Sequence, residues 1–382
     1  MRVAIGQPLI PAYRLPLFER LGALPGVELT VFAGGTEGSL RAFHCGRSFR
    51  VVAAPVHQLK GGLRLQPALL AAAARRGFDL VVAPWDVRYL NLLPSVALAR
   101  AFRTPIVLWG HGYSLNPHPL TDGARNFCGR LADAVLLYTE SVAAQLIETA
   151  HFSKDRVFVA QNALDQTPIQ LARQSWMDRP EALAEFQRQH GVDSARTILF
   201  ISRLEANNRI DMLLRATAAL CPRYPDLKTV LIGDGSDRAR LVELTRMLGI
   251  EGRVAFAGPI YEESELAPWM LSATLLCYPT NVGLSLLHAF GYGLPAVTSD
   301  NRRAQNPEIE ALVAGVNGLE YRDGDLDDMV RQCEQILGDP DLRLQLSEAA
   351  LQGVLHRYSI DRMVDGFKQV FDRVAGRRST RS

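Results

Sequence analysis

The chain has 382 residues, the length of two average domains, and its 48% hydrophobic and 21% charged residues are typical of a globular protein. A net charge of only +2 excludes a strong overall electrostatic field. The sequence has no basic patch interleaved with aromatic residues and no zinc-ligand spacing, so it does not predict a nucleic-acid partner. No apolar run is long enough to span a bilayer, and the first residues are typical of a strand rather than of a signal peptide, so we expect a cytoplasmic protein.

The charge is distributed unevenly along the chain. Residues 1–165 carry 17 basic and 11 acidic side chains, whereas the remaining residues carry 25 and 29. A basic first half is compatible with an anionic acceptor, or with peripheral contact to the inner face of a membrane. A solvated surface with a chance imbalance accounts for it equally well.

Short apolar segments alternate with longer amphipathic segments along both halves of the chain. Strands are predicted at Val3–Gly6, Leu29–Ala33, Leu80–Pro84, Ile106–Gly110, Ala134–Tyr138, Val157–Ala160, Ile198–Ser202, Thr229–Gly233, Val254–Ala257, Leu275–Tyr278 and Ala296–Ser299. Helices are predicted between them, for example at Leu65–Arg75, Ser141–Ala150, Arg209–Leu220 and Arg238–Leu248. This alternation predicts an α/β protein with parallel sheets covered on both faces. The alternation of strands and helices is interrupted once, near Asn162–Thr167. We therefore predict two Rossmann-like, doubly wound domains that face a cleft.

The polar signals of the second half follow the ends of predicted strands. Arg203 follows Ile198–Ser202, and a cation at a strand end suits a diphosphate. Gly233 and Gly235 follow the next strand, where glycines let the backbone approach a ligand. A helix begins near Gly283, and its free N–H groups suit a pyrophosphate. The chain has no Walker-type lysine and no GxGxxG motif, which disfavours P-loop and dinucleotide-binding enzymes.

The order and spacing of these segments resemble the retaining GT-B glycosyltransferases of family 4. In the second half the matching segments are Ile198–Leu204, Gly233–Ser236, Val254–Gly258, Gly283–Pro295, Pro307–Glu310 and Gly315–Gly318. The resemblance implies an acceptor-side domain over residues 1–165, a nucleotide-sugar-binding domain over 166–356, and a segment 357–382 whose helix crosses back to the first domain and ends in a basic tail. It also implies that the donor contacts Gly233, Gly235, Pro259, Ile260, Gly283, Leu284, Ser285, His288, Arg209 and Glu308.

The first half carries the remaining predicted residues. His111 lies between two glycines after a predicted strand and resembles the family's histidine that touches the donor sugar. Together with Arg203 it forms the predicted catalytic pair. Four residues in loops after predicted strands are expected to contact the acceptor: Tyr13, Arg14, Trp85 and Asp86. Packing explains the presence of Tyr13 and Arg14 equally well. For Trp85 and Asp86, the only argument for acceptor contact is their position after a predicted strand.

Three polar positions depart from the family pattern. The family's two glutamates are replaced by Thr280 and His288, and its lysine five positions after Arg203 is replaced by Asn208. Arg209, the next residue, would supply a charge. These departures motivate one alternative function, a non-catalytic partner subunit with the same fold. A nucleotide-sugar epimerase on this fold is a second alternative.

The resemblance implies that a hexosyl or deoxyhexosyl group passes from a nucleoside-diphosphate sugar to a hydroxyl of a glycan, lipid-linked or small-molecule acceptor, with retention at the anomeric carbon. No cofactor is expected, because Arg203 and the helix N-terminus would neutralise the leaving phosphate. No metal is expected either, since turn chemistry explains Asp323-Gly324-Asp325 better than an Asp-x-Asp metal motif does.

The histidine at position 288 also bears on the donor nucleotide. A neutral imidazole offers one acceptor and one donor, whereas a carboxylate offers two acceptor oxygens to a ribose diol. We therefore hypothesise that a deoxyribonucleotide donor is accepted at least as well as a ribonucleotide donor. In the alternative, His288 bonds one ribose hydroxyl and backbone groups bond the other.

Overall fold

The computed structural model describes residues 1–34, 48–74, 77–113 and 118–379. The chain divides into two compact units. Unit 1 contains Met1–Asn162 and Ile360–Ser382, and unit 2 contains Ala163–Ser359. No helix among the described residues combines the length and the hydropathy that a membrane span requires.

The strands of unit 1 are β1 (Arg2–Gln7), β2 (Glu28–Ala33), β3 (Arg50–Ala53), β4 (His57–Gln58), β5 (Arg64–Leu65), β6 (Leu80–Pro84), β7 (Ile106–Gly110), β8 (Ala134–Leu137) and β9 (Val157–Val159). Seven of them form a sheet in the order β3-β2-β1-β6-β7-β8-β9, and every pair is parallel. β4 and β5 form a separate antiparallel hairpin. The helices before residue 162 are α1 (Leu15–Gly22), α2 (Pro67–Ala74), α3 (Leu92–Ala101), α4 (Pro119–Leu131) and α5 (Glu140–Glu148).

The strands of unit 2 are β10 (Thr197–Ile201), β11 (Lys228–Ile232), β12 (Val254–Gly258), β13 (Leu275–Tyr278), β14 (Ala296–Ser299) and β15 (Gly318–Tyr321). They form a parallel sheet in the order β12-β11-β10-β13-β14-β15. Its helices are α6 (Gln166–Met177), α7 (Pro180–His190), α8 (Ile210–Leu220), α9 (Arg238–Met247), α10 (Glu263–Leu271), α11 (Leu284–Gly291), α12 (Leu326–Gly338) and α13 (Pro340–Arg357).

The predicted α/β class with two doubly wound parallel sheets is confirmed. The central strands β7, β8 and β13 are buried along their whole length, as expected for strands covered on both faces. The strand order reverses once in each sheet, between β1 and β6 in unit 1 and between β10 and β13 in unit 2. The loops that leave the two strands at such a switch point diverge, and ligands of doubly wound sheets bind there.

The C-terminal helix α14 (Ile360–Ser379) belongs to unit 1 and packs on α1 and β9. Phe367 on this helix is buried and meets the ring of Trp109 edge-on, with centroids 4.8 Å apart. Gly366 lies against the end of β9, and a Cβ atom there would be 2.3 Å from the carbonyl oxygen of Val159. The helix therefore reaches β9 this closely only because residue 366 has no side chain.

Replacing Gly366 by Ala should lower the free energy of unfolding by about 1–3 kcal/mol, because the new methyl group meets backbone that cannot move aside. Gly376 in the same helix is the matched control, since it is exposed and no atom of the residues that the structure describes lies within 4 Å of a Cβ atom there. Gly376→Ala should raise the stability by about 0.5–1 kcal/mol through helix propensity. Urea unfolding of both variants tests this, and equal effects of the two substitutions would contradict the close approach.

Candidate functional site

Unit 2 presents Arg203 at the switch point of its sheet. The residue follows β10, its side chain is exposed, and no described residue forms a hydrogen bond or an ion pair with its guanidinium. The positive charge nevertheless acts on the nearby Tyr278 hydroxyl. An exposed arginine without an internal partner at this position is available for an anion.

The N-terminus of α11 lies on the other side of the same switch point. Gly283 caps this helix without a side-chain hydrogen bond, and Leu284 and Ser285 form its partly exposed first turn. The side chain of Tyr278 at the end of β13 hydrogen-bonds to Ser202 and Ser285 and so links the Arg203 loop to α11. Burial raises the pKa of Tyr278, although the two serines and Arg203 oppose the shift, so the hydroxyl stays protonated. The free N–H groups and the positive end of α11 thus lie beside Arg203.

Asn208, in the position of the family's lysine, is a structural residue. Its side chain is buried, its Nδ2 donates to the carbonyl oxygen of Arg203 at 2.7 Å, and its Oδ1 accepts from Nδ2 of Asn281 at 2.9 Å. Asn281 has a φ of 64° and is held by a second asparagine, Asn306, whose Nδ2 donates to its carbonyl and side-chain oxygens. This network joins the Arg203 loop to the turn that leads into α11.

Packing within unit 2 requires glycine at positions 233 and 235, two of the positions predicted to bind the donor. Gly233 has a φ of 134°, and a Cβ atom on it would be 1.9 Å from the carbonyl oxygen of Ser202. A Cβ atom on Gly235 would be 2.3 Å from the carbonyl oxygen of Leu204, whose N–H donates to Asp234. The glycine turn therefore lies directly on the Arg203 loop, and its small residues are required by that packing.

The remaining donor-side residues lie at the same edge of the sheet. Pro259 and Ile260 follow β12 and are at least partly exposed. Arg209 has a φ of 52° and forms an ion pair with Asp323 at 3.2 Å, so its charge is partly neutralised. Glu308 is buried in a 3-10 turn, and its Oε2 would lie 3.7 Å from a Cβ atom on Gly283.

His288 is part of a cluster that sequence reasoning missed. Its Nε2 lies 2.8 Å from Oε1 of Glu263, which also accepts from the Tyr292 hydroxyl at 2.6 Å. Burial opposes ionisation of Glu263, but the hydrogen bonds from His288 and Tyr292 outweigh it and lower its pKa. Because a carboxylate only accepts, Nε2 carries the hydrogen, and Nδ1 is the only ring nitrogen left for another partner.

Among the residues of the four described ranges, no group of three His, Cys, Asp or Glu side chains could hold a metal ion.

Unit 1 places His111 and Arg14 in one aromatic cluster. His111 follows β7, and its ring centroid lies 5.0 Å from that of Tyr138 and 5.8 Å from that of Tyr113. The guanidinium of Arg14 lies over the rings of Tyr13 and Trp109 at 5.2 and 5.1 Å. Arg14 is buried, and no carboxylate of the described residues forms an ion pair with it.

This arrangement affects the charge of His111. Although the residue is exposed overall, removal of part of its ring from water lowers the pKa, and the charges of Arg14 and Arg88 lower it further. The carboxylate of Asp86 acts in the opposite direction. The imidazole is therefore neutral near pH 7 and offers an acceptor nitrogen.

Trp85 and Asp86 differ in what they offer an acceptor. Trp85 is buried, its Nε1 donates to the carbonyl oxygen of Arg125 at 3.0 Å, and its ring packs on Phe152. Its side chain serves the core of unit 1 and not a binding surface. Asp86 is half-buried and bonded to Arg88 at 2.7 Å. Burial raises the pKa of its carboxyl group, but the bonds from Arg88 outweigh burial and lower it.

Two family models match the chain. The model described as Glycosyltransferase Family 4 matches residues 17–167, and the model described as Glycosyl transferases group 1 matches residues 195–339. The chain belongs to the GT-B glycosyltransferases of family 4 and group 1. The family resemblance found in its sequence is thereby confirmed, and the chain is an enzyme of the glycosyltransferase class. Retention at the anomeric carbon stays a prediction.

Individual relatives of this glycosyltransferase agree with the family. An alpha-D-kanosaminyltransferase from Streptomyces kanamyceticus is 26% identical over 300 residues, which cover 77% of this chain and 70% of that protein. An N-acetyl-alpha-D-glucosaminyl L-malate synthase from Bacillus anthracis is 25% identical over 190 residues, which cover 50% and 49%. The crystal structure of Anabaena Alr3699/HepE in complex with UDP has a TM-score of 0.74 over 97% of this chain and 99% of that chain. At 18% identity this last likeness concerns the fold alone.

Arg14→Met should raise the pKa of His111, because the apolar side chain keeps the ring desolvated but removes a positive charge. NMR titration of the His111 ring protons tests this. Arg50→Met is the control, since Arg50 is exposed and is not among the groups that shift the pKa of His111. An unchanged pKa in the Arg14 variant would contradict the electrostatic contact.

Proposed function

We propose that this glycosyltransferase transfers a hexosyl or deoxyhexosyl group from a nucleoside-diphosphate sugar to an acceptor hydroxyl, with retention at the anomeric carbon. The observation that carries the donor assignment is the exposed guanidinium of Arg203, which has no partner among the described residues, beside the N-terminus of α11. A diphosphate gains negative charge as its bond to the sugar breaks, and these two groups would stabilise that charge.

The names of the relatives support the reaction type. The kanosaminyltransferase and the malate synthase are both named for alpha-D-glycosyl groups, and an α product formed from an α-linked donor corresponds to retention. The HepE structure contains UDP, which makes uridine nucleotides the first donors to test. NMR of the glycosidic linkage in the product would decide between retention and inversion.

In the proposed reaction the acceptor oxygen attacks the anomeric carbon on the face that the diphosphate leaves. The bond from the anomeric carbon to the phosphate oxygen breaks, the bond to the acceptor oxygen forms, and the acceptor proton passes to the departing phosphate. Arg203 and α11 provide the charge stabilisation, so the mechanism uses no metal and no enzyme nucleophile. Neutral His111 would accept a hydrogen bond from a hydroxyl of the donor sugar.

Arg203→Met should weaken UDP binding about tenfold or more, because a hydrogen bond to a charged group contributes about 1.5–3 kcal/mol. Transfer at saturating donor should slow further, by about 2–4 kcal/mol of barrier. Arg215→Met on α8 is the matched control, since this arginine is also exposed. Calorimetry with UDP and an assay of UDP release from UDP-glucose measure both effects. Unchanged affinity in a variant with a normal melting temperature would rule Arg203 out as the diphosphate ligand.

His288 should offer only one ring nitrogen, Nδ1, to the ribose, because Glu263 already engages Nε2. UDP and dUDP should therefore bind with dissociation constants that differ by less than about fivefold, the equivalent of one net hydrogen bond. Calorimetric titration of the two nucleotides measures this difference, since they differ only at the 2′ position. A stronger preference for UDP would mean that another group binds the 2′-hydroxyl and that a ribonucleotide is the natural carrier.

A further inference from the structure

Arg14 in unit 1 is a buried cation whose N–H groups are poorly matched by acceptors. The residue is 6% exposed, and its guanidinium carries five N–H donors. Its one side-chain hydrogen bond to a described residue runs from Nη1 to Sδ of Met363 at 3.6 Å, and a thioether is a weak acceptor. Burying a charged donor without good acceptors is unfavourable. A purely structural role at this position would be filled better by an apolar side chain.

Three aromatic rings surround this guanidinium. Its carbon lies 5.2, 5.1 and 5.6 Å from the ring centroids of Tyr13, Trp109 and Tyr138. Ring faces attract the positive charge and favour its burial, but they do not accept hydrogen bonds as a carboxylate does. Nε1 of Trp109 is a second buried donor in the same cluster, and it has no hydrogen-bond partner among the described residues. The cluster therefore contains a charged donor and a neutral donor that both lack a strong acceptor.

The cluster lies at the edge of the sheet where ligands of doubly wound folds bind. Trp109 is near the end of β7 and Tyr138 follows β8, so both mark the carboxyl edge of the parallel sheet. The exposed ring of His111 lies beside them, with its centroid 5.0 Å from that of Tyr138. The charge of Arg14 is close enough to lower the pKa of His111. The buried cation is therefore near a surface that a ligand can reach.

The charges of the neighbouring side chains indicate which anion fits. Asp86 is bonded to Arg88 through both carboxylate oxygens, at 3.0 and 2.7 Å, so these two charges neutralise each other. The charge of Arg14 has no such partner in the parts of the chain that the structure describes. A phosphate monoester carries a charge of about −1.5 to −2, part of which would stay uncompensated among the rings. A carboxylate is a planar monoanion that matches a guanidinium with two parallel hydrogen bonds.

We propose that the acceptor of this glycosyltransferase carries a carboxylate, which the guanidinium of Arg14 binds beside His111. The Nε1–H of Trp109 is a further donor to the same group, since a carboxylate can accept more than two hydrogen bonds. Fixing the carboxylate in unit 1 limits which hydroxyls of the acceptor can be presented for transfer. That the bound molecule is the acceptor rests on the function proposed above, whereas binding of a carboxylate to Arg14 does not.

NMR titration of the full chain without nucleotide tests the proposal with matched pairs of probes. Acetate is compared with acetamide, methyl α-D-glucuronide with methyl α-D-glucoside, and both carboxylates with inorganic phosphate. The signals followed are the Nε1–H of Trp109, one of four indoles in the chain, and the ring protons of His111. The two carboxylates should shift both signals and raise the pKa of His111, because their charge offsets that of Arg14. The neutral probes should shift neither signal, and phosphate should bind more weakly than the carboxylates.

Substitutions of Arg14 identify the group that binds the carboxylate. Arg14→Met should weaken binding of methyl α-D-glucuronide about tenfold or more, because it removes charge-assisted hydrogen bonds. Arg14→Lys keeps the charge but not the planar fork, so its affinity should lie between those of the Met variant and the unchanged protein. Arg50→Met is the matched control, since Arg50 is exposed, and it should bind as the unchanged protein does.

Three results would overturn the proposal. The first is that the unchanged protein responds to the carboxylates no more than to their neutral analogues. The second is that phosphate binds as tightly as the carboxylates, which would make the ligand class wrong. The third is that Arg14→Met lowers the melting temperature but leaves the glucuronide affinity unchanged, which would mean that Arg14 only braces α14 through Met363. Calorimetry with UDP measures donor binding separately, so a failure of the proposed donor chemistry is distinguished from a failure at Arg14.

Discussion

Parallel pairing of the strands is the constraint on which the candidate site depends. β10 pairs with β11 on one side and with β13 on the other, and all three run in the same direction. Their carboxyl ends therefore lie at one edge, and the loops after β10 and β13 must diverge. Arg203, the glycine turn after β11 and the N-terminus of α11 are all attached to this edge. No side-chain contact among them is needed to bring them into the same region, because the sheet already does so.

Much of the fold follows from burial. Strands covered on both faces are continuous apolar runs, so β6, β7, β13 and β14 are predicted with their observed bounds. β3 and β15 are missed because each has only four residues and includes a charged one, Arg50 and Glu320, which leaves too short an apolar run to predict a strand. The polar segment after residue 165 broke the strand pattern but forms α6 and α7. Most side chains of these two helices are polar and few are buried, so the segment has no clear apolar stretch.

The candidate site likewise has features that the sequence predicts and features that it does not. The position of Arg203 is predictable, because the residue comes just after an apolar segment that can be recognised in the sequence as a strand. The partners of Asn208 and His288 are not, because Asn281 and Glu263 are distant in sequence and meet them only when the chain is folded. The turn at Asn281 depends on a left-handed backbone conformation, which asparagine adopts more readily than most residues but which no periodicity predicts. Side-chain pairing between elements that are separate in sequence is therefore the part of the site that required the structure.

The contact between His288 and Glu263 has a consequence for how such a site changes over evolutionary time. A glutamate substituted at position 288 would bring a second carboxylate next to Glu263, and two carboxylates this close repel each other and cannot both ionise freely. Replacement of His288 alone by glutamate is therefore unfavourable as long as Glu263 is ionised. Position 263 must first lose its charge, or both positions must change together. The two residues therefore form a coupled pair, and the effect of a substitution at one position depends on the residue at the other.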